Sequence, residues 1–216
     1  MIKIYNDDIC NIFDDIIENN NDRKIVIVSD PPFNIGYKYN SYKDNMDEDE
    51  YYDFVEYIFG TLPSVIIHYP ETLYKISYQI GKFPERVISW VYNSNTAKQH
   101  RDIAFFGIKP DLNLVKQPYK NPNDKRIKER IASGKTGARL YDWWNINQVK
   151  NVSKKHSHPC QMPLEVMENI IGILPRDILV IDPFMGTGTT GLACQKYGVD
   201  FIGVELDKEY FEIAKE

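Results

Sequence analysis

Ile178-Leu179-Val180-Ile181-Asp182-Pro183-Phe184-Met185-Gly186-Thr187-Gly188-Thr189-Thr190-Gly191 is the stretch that decides the fold. Its first four residues form a continuous apolar run, as a strand buried on both faces requires. The glycines that follow allow a tight turn in which the backbone can lie close against a ligand. Thr189 to Tyr197 then reads as a helix. The first amides of a helix lack intrahelical partners and favour a carboxylate or phosphate. A further β-type run, Phe201–Glu205, ends in a carboxylate roughly 20 residues after the glycine turn, where ribose hydroxyls can be bound. Such a turn is shared by NAD, FAD and adenosylmethionine sites.

Working outward, the same rhythm recurs. Seven short β-type runs are legible: Ile2–Tyr5, Ile25–Ser29, Val65–Tyr69, Arg86–Val91, Ile103–Lys109, Ile178–Asp182 and Phe201–Glu205. Helical patterns lie between several of them. Ile9, Ile12, Phe13, Ile16 and Ile17 give one apolar face, and Tyr51 to Phe59 gives another behind the acidic Asp47–Glu50. Leu73–Ile80 and Leu164–Leu174 continue the alternation. The pattern predicts an α/β fold: a Rossmann-like, doubly wound, seven-stranded, mostly parallel sheet.

The 216 residues suffice for one sizeable domain, here taken as residues 1–216, carrying an insertion at 111–155. That insertion is polar and poor in aliphatic runs, with Lys125 to Ala132 as its one short helix. The three cysteines have no paired spacing, which argues for a reducing compartment. No apolar run approaches the ~20 residues that span a bilayer, and the N-terminal pattern is not that of a signal peptide. The expected location is the cytoplasm, with no membrane partner.

The net charge of −5 hides an asymmetry. Between Lys98 and Lys155 there are 14 Lys and Arg against 5 Asp and Glu, while the remainder of the chain carries −14. A basic segment on an acidic body is an electrostatic footprint for nucleic acid; a solvated lysine-rich loop has the same composition.

Asp30-Pro31-Pro32-Phe33, directly after Ile25–Ser29, is the second chemical signal. A carboxylate and a proline-flanked carbonyl can both accept hydrogen bonds from one amino group. The prolines fix φ and remove amide donors, which leaves a rigid, acceptor-rich edge. The aromatic ring offers a face on which a planar ring can stack. Together they fit a site that grips a planar, amino-bearing ring such as a nucleobase.

The pair, Asp30–Phe33 first and Asp182–Gly188 some 150 residues later, resembles the amino-directed DNA methyltransferases in their permuted β-group order. The resemblance implies transfer of a methyl group from S-adenosylmethionine to the exocyclic N6 of adenine, or to N4 of cytosine. The Asp at the head of the tetrapeptide favours adenine. Tyr is commoner than Phe in its last place; Phe33 keeps the stacking face and lacks the hydroxyl. The implied catalytic residues are Asp30, Pro31, Pro32 and Phe33. The implied cofactor contacts are Asp182, Phe184, Gly186, Gly188, Thr189, Thr190 and Glu205, with Asp8 in the adenosine pocket and His158 and Pro159 in the segment closing over the methionine end. The insertion lies where this family carries its target-recognition region. Lys120, Lys125, Arg126, Lys128, Arg130, Lys135 and Arg139 are the expected DNA contacts, most of them to phosphate. The expected partner is duplex DNA with the target base flipped out, with a second copy or a specificity subunit supplying further reading surface. A non-catalytic nucleic-acid-binding subunit and an RNA methyltransferase stand as alternatives.

Three other motifs are set aside. Pro159-Cys160 resembles a cytosine-C5 nucleophile but lies upstream of the glycine turn. Gly134-Lys135-Thr136 ends like a phosphate loop, yet Glu129 stands where its first glycine is required. His156 and His158 have no third ligand nearby, so no metal is expected. Trp143-Trp144 is read equally as hydrophobic anchoring or as base stacking.

Overall fold

The computed structural model describes residues 1–39, 41–149 and 161–216. The chain begins β1 (Ile2–Asn6), α1 (Ile9–Glu18), β2 (Ile25–Ser29), α2 (Glu48–Phe59), β3 (Ser64–His68) and α3 (Pro70–Gln79). It continues through β4 (Arg86–Val91), β5 (His100–Phe106), β6 (Lys116–Gln117), α4 (Lys125–Ala132), β7 (Ala138–Arg139) and β8 (Trp143–Asn145). It closes with α5 (Leu164–Gly172), β9 (Leu179–Asp182), α6 (Thr189–Tyr197), β10 (Asp200–Glu205) and α7 (Lys208–Ala214).

Local chemistry sets the helix starts. Asp47 caps α2 by accepting the Asp49 amide, and Glu48, Asp49 and Glu50 sit where the helix dipole favours negative charge. Pro70 opens α3, at a position that has no amide bond to lose.

The main sheet runs β1-β10-β9-β2-β3-β5-β4-β8. All its neighbours are parallel except those of β5, which runs against β3 and β4. The fully buried strands explain their continuous apolar runs. Ile25 and Ile27 of β2 pack with α1, α2 and α3 on one face. Val26 and Val28 pack with α5 and α6 on the other. Alternate residues of one strand thus serve two cores, as a strand in a doubly covered sheet must.

The seven expected strands all take places in this sheet. β8 adds an eighth because Trp144, opposite Trp90, is 4% exposed and belongs to the core. Leu140 is buried there as well. The basic stretch is therefore anchored at its end, while α4 buries no side chain and β6 and β7 form a separate two-stranded ribbon. One boundary moves in a way that matters below. β5 starts at His100, not Ile103, because the polar residues His100, Arg101 and Asp102 pair with Val91, Trp90 and Ser89. Among the described residues no helix is long and apolar enough to cross a membrane.

Topology fixes where a ligand can sit. From β9 the chain crosses by α6 to β10 on one side, and from β2 by α2 to β3 on the other. These crossings use opposite faces of the sheet. The adjacent pair β9 and β2 is thus a topological switch point, and the crevice beyond their carboxyl ends is the place for a ligand in such folds.

Candidate active site

The last residues of neighbouring strands converge at that crevice: Asp182 from β9, Glu205 from β10, Asp30 just beyond β2, and Asp8 after β1. Asp182 is 3% exposed and works from within. Its Oδ1 accepts from the Ser29 hydroxyl at 2.6 Å and the Phe184 amide at 3.1 Å. Its Oδ2 accepts from the Thr190 hydroxyl at 2.5 Å. One carboxylate therefore ties β2, the glycine turn and α6 together.

Within the turn, Gly186 (φ 54°) and Gly188 (φ 83°) occupy the left-handed region that other residues avoid. A Cβ on Gly188 would also lie 3.1 Å from the Ala214 Cβ. α6 begins with no side-chain cap, so its first amides remain as donors. The Gly186 amide donates to Glu205 Oε2 and the Asp207 amide to Oε1, both at 2.8 Å. Burial pushes the Glu205 carboxyl up to about 7, against the downward pull of those two amides. Asp8 is exposed and caps α1 through the Cys10 amide.

Two hollows share this floor. The larger, about 890 Å³ and open to solvent, is lined by Asp8, Asp30, Phe184, Gly186 and Glu205. The smaller, about 420 Å³, is lined by Asp30, Asp182, Gly186, Thr189 and Thr190, with Gln161 and Met162. Asp30, Phe184 and Gly186 belong to both. Gly188 lies behind the turn and forms the start of α6. His158 and Pro159, like Cys160 and His156, lie outside the described residues.

Sequence reading missed the remainder of the larger wall. Tyr39, Ser41, Tyr42 and Met46 come from the loop after the tetrapeptide, Phe54 from α2, and Asp207 and Tyr210 from the start of α7. Buried Asp44 organises that loop by accepting the amides of Asn34, Ile35 and Tyr37. Ser41 then fastens it to Asp207 at 2.7 Å. The usable signal was the aromatic density of Tyr37, Tyr39 and Tyr42 in a polar segment, which a surface loop has no need of.

Asp30–Phe33 forms the rim between the hollows. Asp30 Oδ2 accepts from Arg101 Nη1 at 3.1 Å. Its Oδ1 is buried with no hydrogen-bond partner among the described residues. Burial pushes the Asp30 carboxyl up to about 6, with Arg101 opposing and Asp182 reinforcing the rise. A short relay holds the prolines. The Tyr51 hydroxyl donates to the Pro32 carbonyl at 2.9 Å and lies 3.3 Å from His68 Nε2. His68 Nδ1 accepts the Tyr69 amide, so the neutral ring carries its proton on Nε2 and donates to Tyr51. Burial pushes His68 down to about 3, which keeps it neutral. Pro31 is buried. The Phe33 ring meets His68 at 4.1 Å and Tyr69 edge-on at 5.0 Å, with the Arg101 guanidinium 4.6 Å from its centroid.

The seven basic residues named from sequence, Lys120, Lys125, Arg126, Lys128, Arg130, Lys135 and Arg139, are all exposed. Lys125, Arg126, Lys128 and Arg130 share α4, and Arg139 lies on β7. Lys120 sits over Tyr141 and Trp143 at 4.9 and 5.3 Å. The tryptophan pair thereby divides: Trp144 is core, while Trp143 is 46% exposed beside a lysine.

The family model described as DNA methylase, for N6 and N4 methyltransferases, matches residues 25–216. The chain is 30% identical to the type II methyltransferase M.BglII of Bacillus subtilis, over 98% of this chain and 67% of that protein. It is 27% identical to the DNA adenine methyltransferase YhdJ of Escherichia coli, over 88% of this chain and 74% of that protein. The solved complex of M1.HpyAVI with SAM superposes with a TM-score of 0.61 at 26% identity, covering 100% of this chain and 98% of that one.

Proposed function

This chain belongs to the N6/N4 DNA methylase family, and from that membership we propose that it methylates the exocyclic N6 of adenine in DNA, using S-adenosylmethionine. One observation carries the proposal: Asp30 Oδ1 is a buried, unpartnered acceptor on the rim shared by both hollows. A buried acceptor without a donor is costly; an amino group arriving there relieves that cost.

The crevice fits the cofactor. Gly186 and Gly188, at positive φ, bring the turn backbone to the floor, and the uncapped start of α6 suits a carboxylate. Glu205 is placed to bind ribose hydroxyls, Phe184 and Asp8 to flank the adenosine. Asp182 acts through the turn that it ties. When bound, S-adenosylmethionine supplies the electrophilic methyl group. The protein's part concerns the amine. Its two hydrogens are held by Asp30 Oδ1 and the Pro31 carbonyl, which returns electron density to a nitrogen otherwise delocalised into the ring. The Tyr51 bond to Pro32 keeps that edge rigid. Positioning and fixed dipoles supply most of the rate. Asp30 Oδ1 then accepts the proton that the nitrogen sheds.

Adenine is favoured over cytosine N4 by the Asp at position 30 and by the likeness to YhdJ, whose name specifies adenine. The flipped base would enter beside Phe33, and α4 with Lys120, Lys135 and Arg139 would follow the phosphates. Duplex DNA, a second copy or specificity subunit, and a cytoplasmic site of action belong to the same reading.

The purified chain, incubated with tritiated-methyl S-adenosylmethionine and unmethylated DNA, should label the DNA, and digestion should yield N6-methyladenine. N4-methylcytosine would overturn the base assignment, and no label on any DNA would overturn the function. Binding should weaken by at least about 10-fold between about 50 and about 200 mM salt, and neutralising Lys125 and Arg130 should flatten that slope by about 0.9 for each phosphate that is no longer neutralised. A slope unchanged by both substitutions would remove α4 from the DNA path.

Tyr51→Phe frees the Pro32 carbonyl and leaves His68 Nε2–H without its acceptor. It should cost about 1 kcal/mol of stability and lower kcat several-fold, with unchanged cofactor Kd. Thermal melts, turnover and calorimetry read the three quantities; unaltered kcat in a folded variant would separate the relay from catalysis.

A further inference from the structure

β5 brings into the site a cation that the methyl-transfer steps above leave unused. Arg101 has a side chain 11% exposed, and it meets an Asp30 side chain that is 20% exposed. The bond is to Oδ2 alone, while Oδ1 stays unpartnered. The guanidinium is also caged by rings, 4.6 Å from the Phe33 centroid, 5.5 Å from Trp90 and 5.8 Å from Tyr69. Stacking against three rings fixes the plane of a planar fork as it could not fix an ammonium. Trp90 is itself held by its Nε1–H bond to the Ile146 carbonyl at 2.7 Å, so the cage stands on the core.

We propose that Arg101 is the positioning residue of Asp30: it immobilises Oδ2, keeps the carboxylate ionised, and so presents Oδ1 as the acceptor for the substrate amine. The substrate in this statement rests on the methyl-transfer reading; the pairing does not. Other groups around Asp30 cannot take over the task. Asp182 from β9 carries the same sign. Tyr51 from α2 and Tyr92 beyond β4 are both pushed upward by burial, and so stay neutral. His68 at the end of β3 is held neutral too. Without the guanidinium, burial and Asp182 would act on Asp30 unopposed, and the amine would meet a protonated acid.

The test titrates Asp30 directly in the full chain by carbon-13 NMR of its carboxyl, assigned by its loss in Asp30→Asn. Arg101→Gln should raise the midpoint by about one pH unit or more, and the acid limb of the methyl-transfer profile should move by the same amount, with recovery at alkaline pH. Cofactor affinity should stay near that of the parent. An unmoved midpoint, or a turnover reduced equally at every pH, would overturn the role. Should Arg101→Gln not fold, Arg101→Lys decides: an ammonium outside the fork holds the carboxylate less firmly, so the loss in turnover should be greater near about pH 6 than near about pH 8, and equal losses overturn the proposal. The carboxyl titration needs no turnover. A chain that labels no DNA but shows the shifted midpoint would remove the methyl-transfer reading and leave the Arg101 pairing standing.

Discussion

Asp30→Ala is expected to lose methyl transfer by at least about 10³-fold while S-adenosylmethionine binds within about threefold of the parent Kd, a change under about 0.7 kcal/mol. The asymmetry follows from what Asp30 touches. Its carboxylate bonds to Arg101 and offers Oδ1 to the rim, while the glycine turn is tied by Asp182 and Glu205. Asp30→Asn separates charge from shape. It keeps the volume and one acceptor, but it cannot ionise and leaves the buried guanidinium without its counter-charge. Its activity should fall nearly as far. The parent enzyme carries a further mark. Because burial raises the Asp30 carboxyl to about 6, the ionised form is lost as pH falls through that value, and turnover should fall on the acid side with a midpoint near there. In Asp30→Asn any residual activity should lack this limb. Calorimetry for the cofactor and a tritiated-methyl assay from about pH 5 to 9 read both effects. Turnover by Asp30→Ala within about tenfold of the parent would sink the assignment of the transfer centre.

How much of this was legible beforehand divides along a physical line. Both ends of the chemistry were readable, because each is written in contiguous residues. Ile178–Gly191 holds strand, turn and helix start in one stretch, and Ile25–Phe33 holds strand and rim. What sequence withheld depends on contacts between distant segments. Arg101 meets Asp30 across 71 positions. It was overlooked because three polar residues at the start of β5 do not look like a strand, although their partners on β4 make them one. The relay from His68 through Tyr51 to Pro32 was invisible for the same reason, since neither residue departs from its own local pattern. Asp182 was anticipated as a ligand contact, yet its oxygens are met by Ser29, Phe184 and Thr190. A sequence shows that a carboxylate sits at a strand end; only the fold shows whether protein donors already fill it.

That saturation makes Asp182→Ala the most damaging single change expected outside the transfer centre. The Asp182 carboxylate is the acceptor for two hydroxyls and one amide in a place almost closed to water. Alanine would leave all three donors unsatisfied, at a cost of at least about 3 kcal/mol, and would open a gap between β2 and β9 at the switch point. The same loss unties the turn. Thr190 no longer braces the first turn of α6, and Phe184 no longer has its amide fixed, so Gly186 and the uncapped helix start lose their shape. Cofactor Kd should rise by at least about 100-fold, or about 2.7 kcal/mol, in protein that is still folded at low temperature. Asp182→Asn should be far milder. Its Oδ1 can keep the Ser29 and Phe184 bonds, and its amide can donate to a Thr190 hydroxyl that rotates to accept. Removing that negative charge also relieves a repulsion felt by both Asp30 and Glu205. The acid limb of turnover in Asp182→Asn should therefore lie below that of the parent. Thermal melts, cofactor calorimetry and the pH profile of the two variants, taken together, distinguish the tie from a direct ligand contact. A direct contact predicts comparable loss of cofactor affinity in both variants with little change in melting. The tie predicts collapse in Asp182→Ala alone.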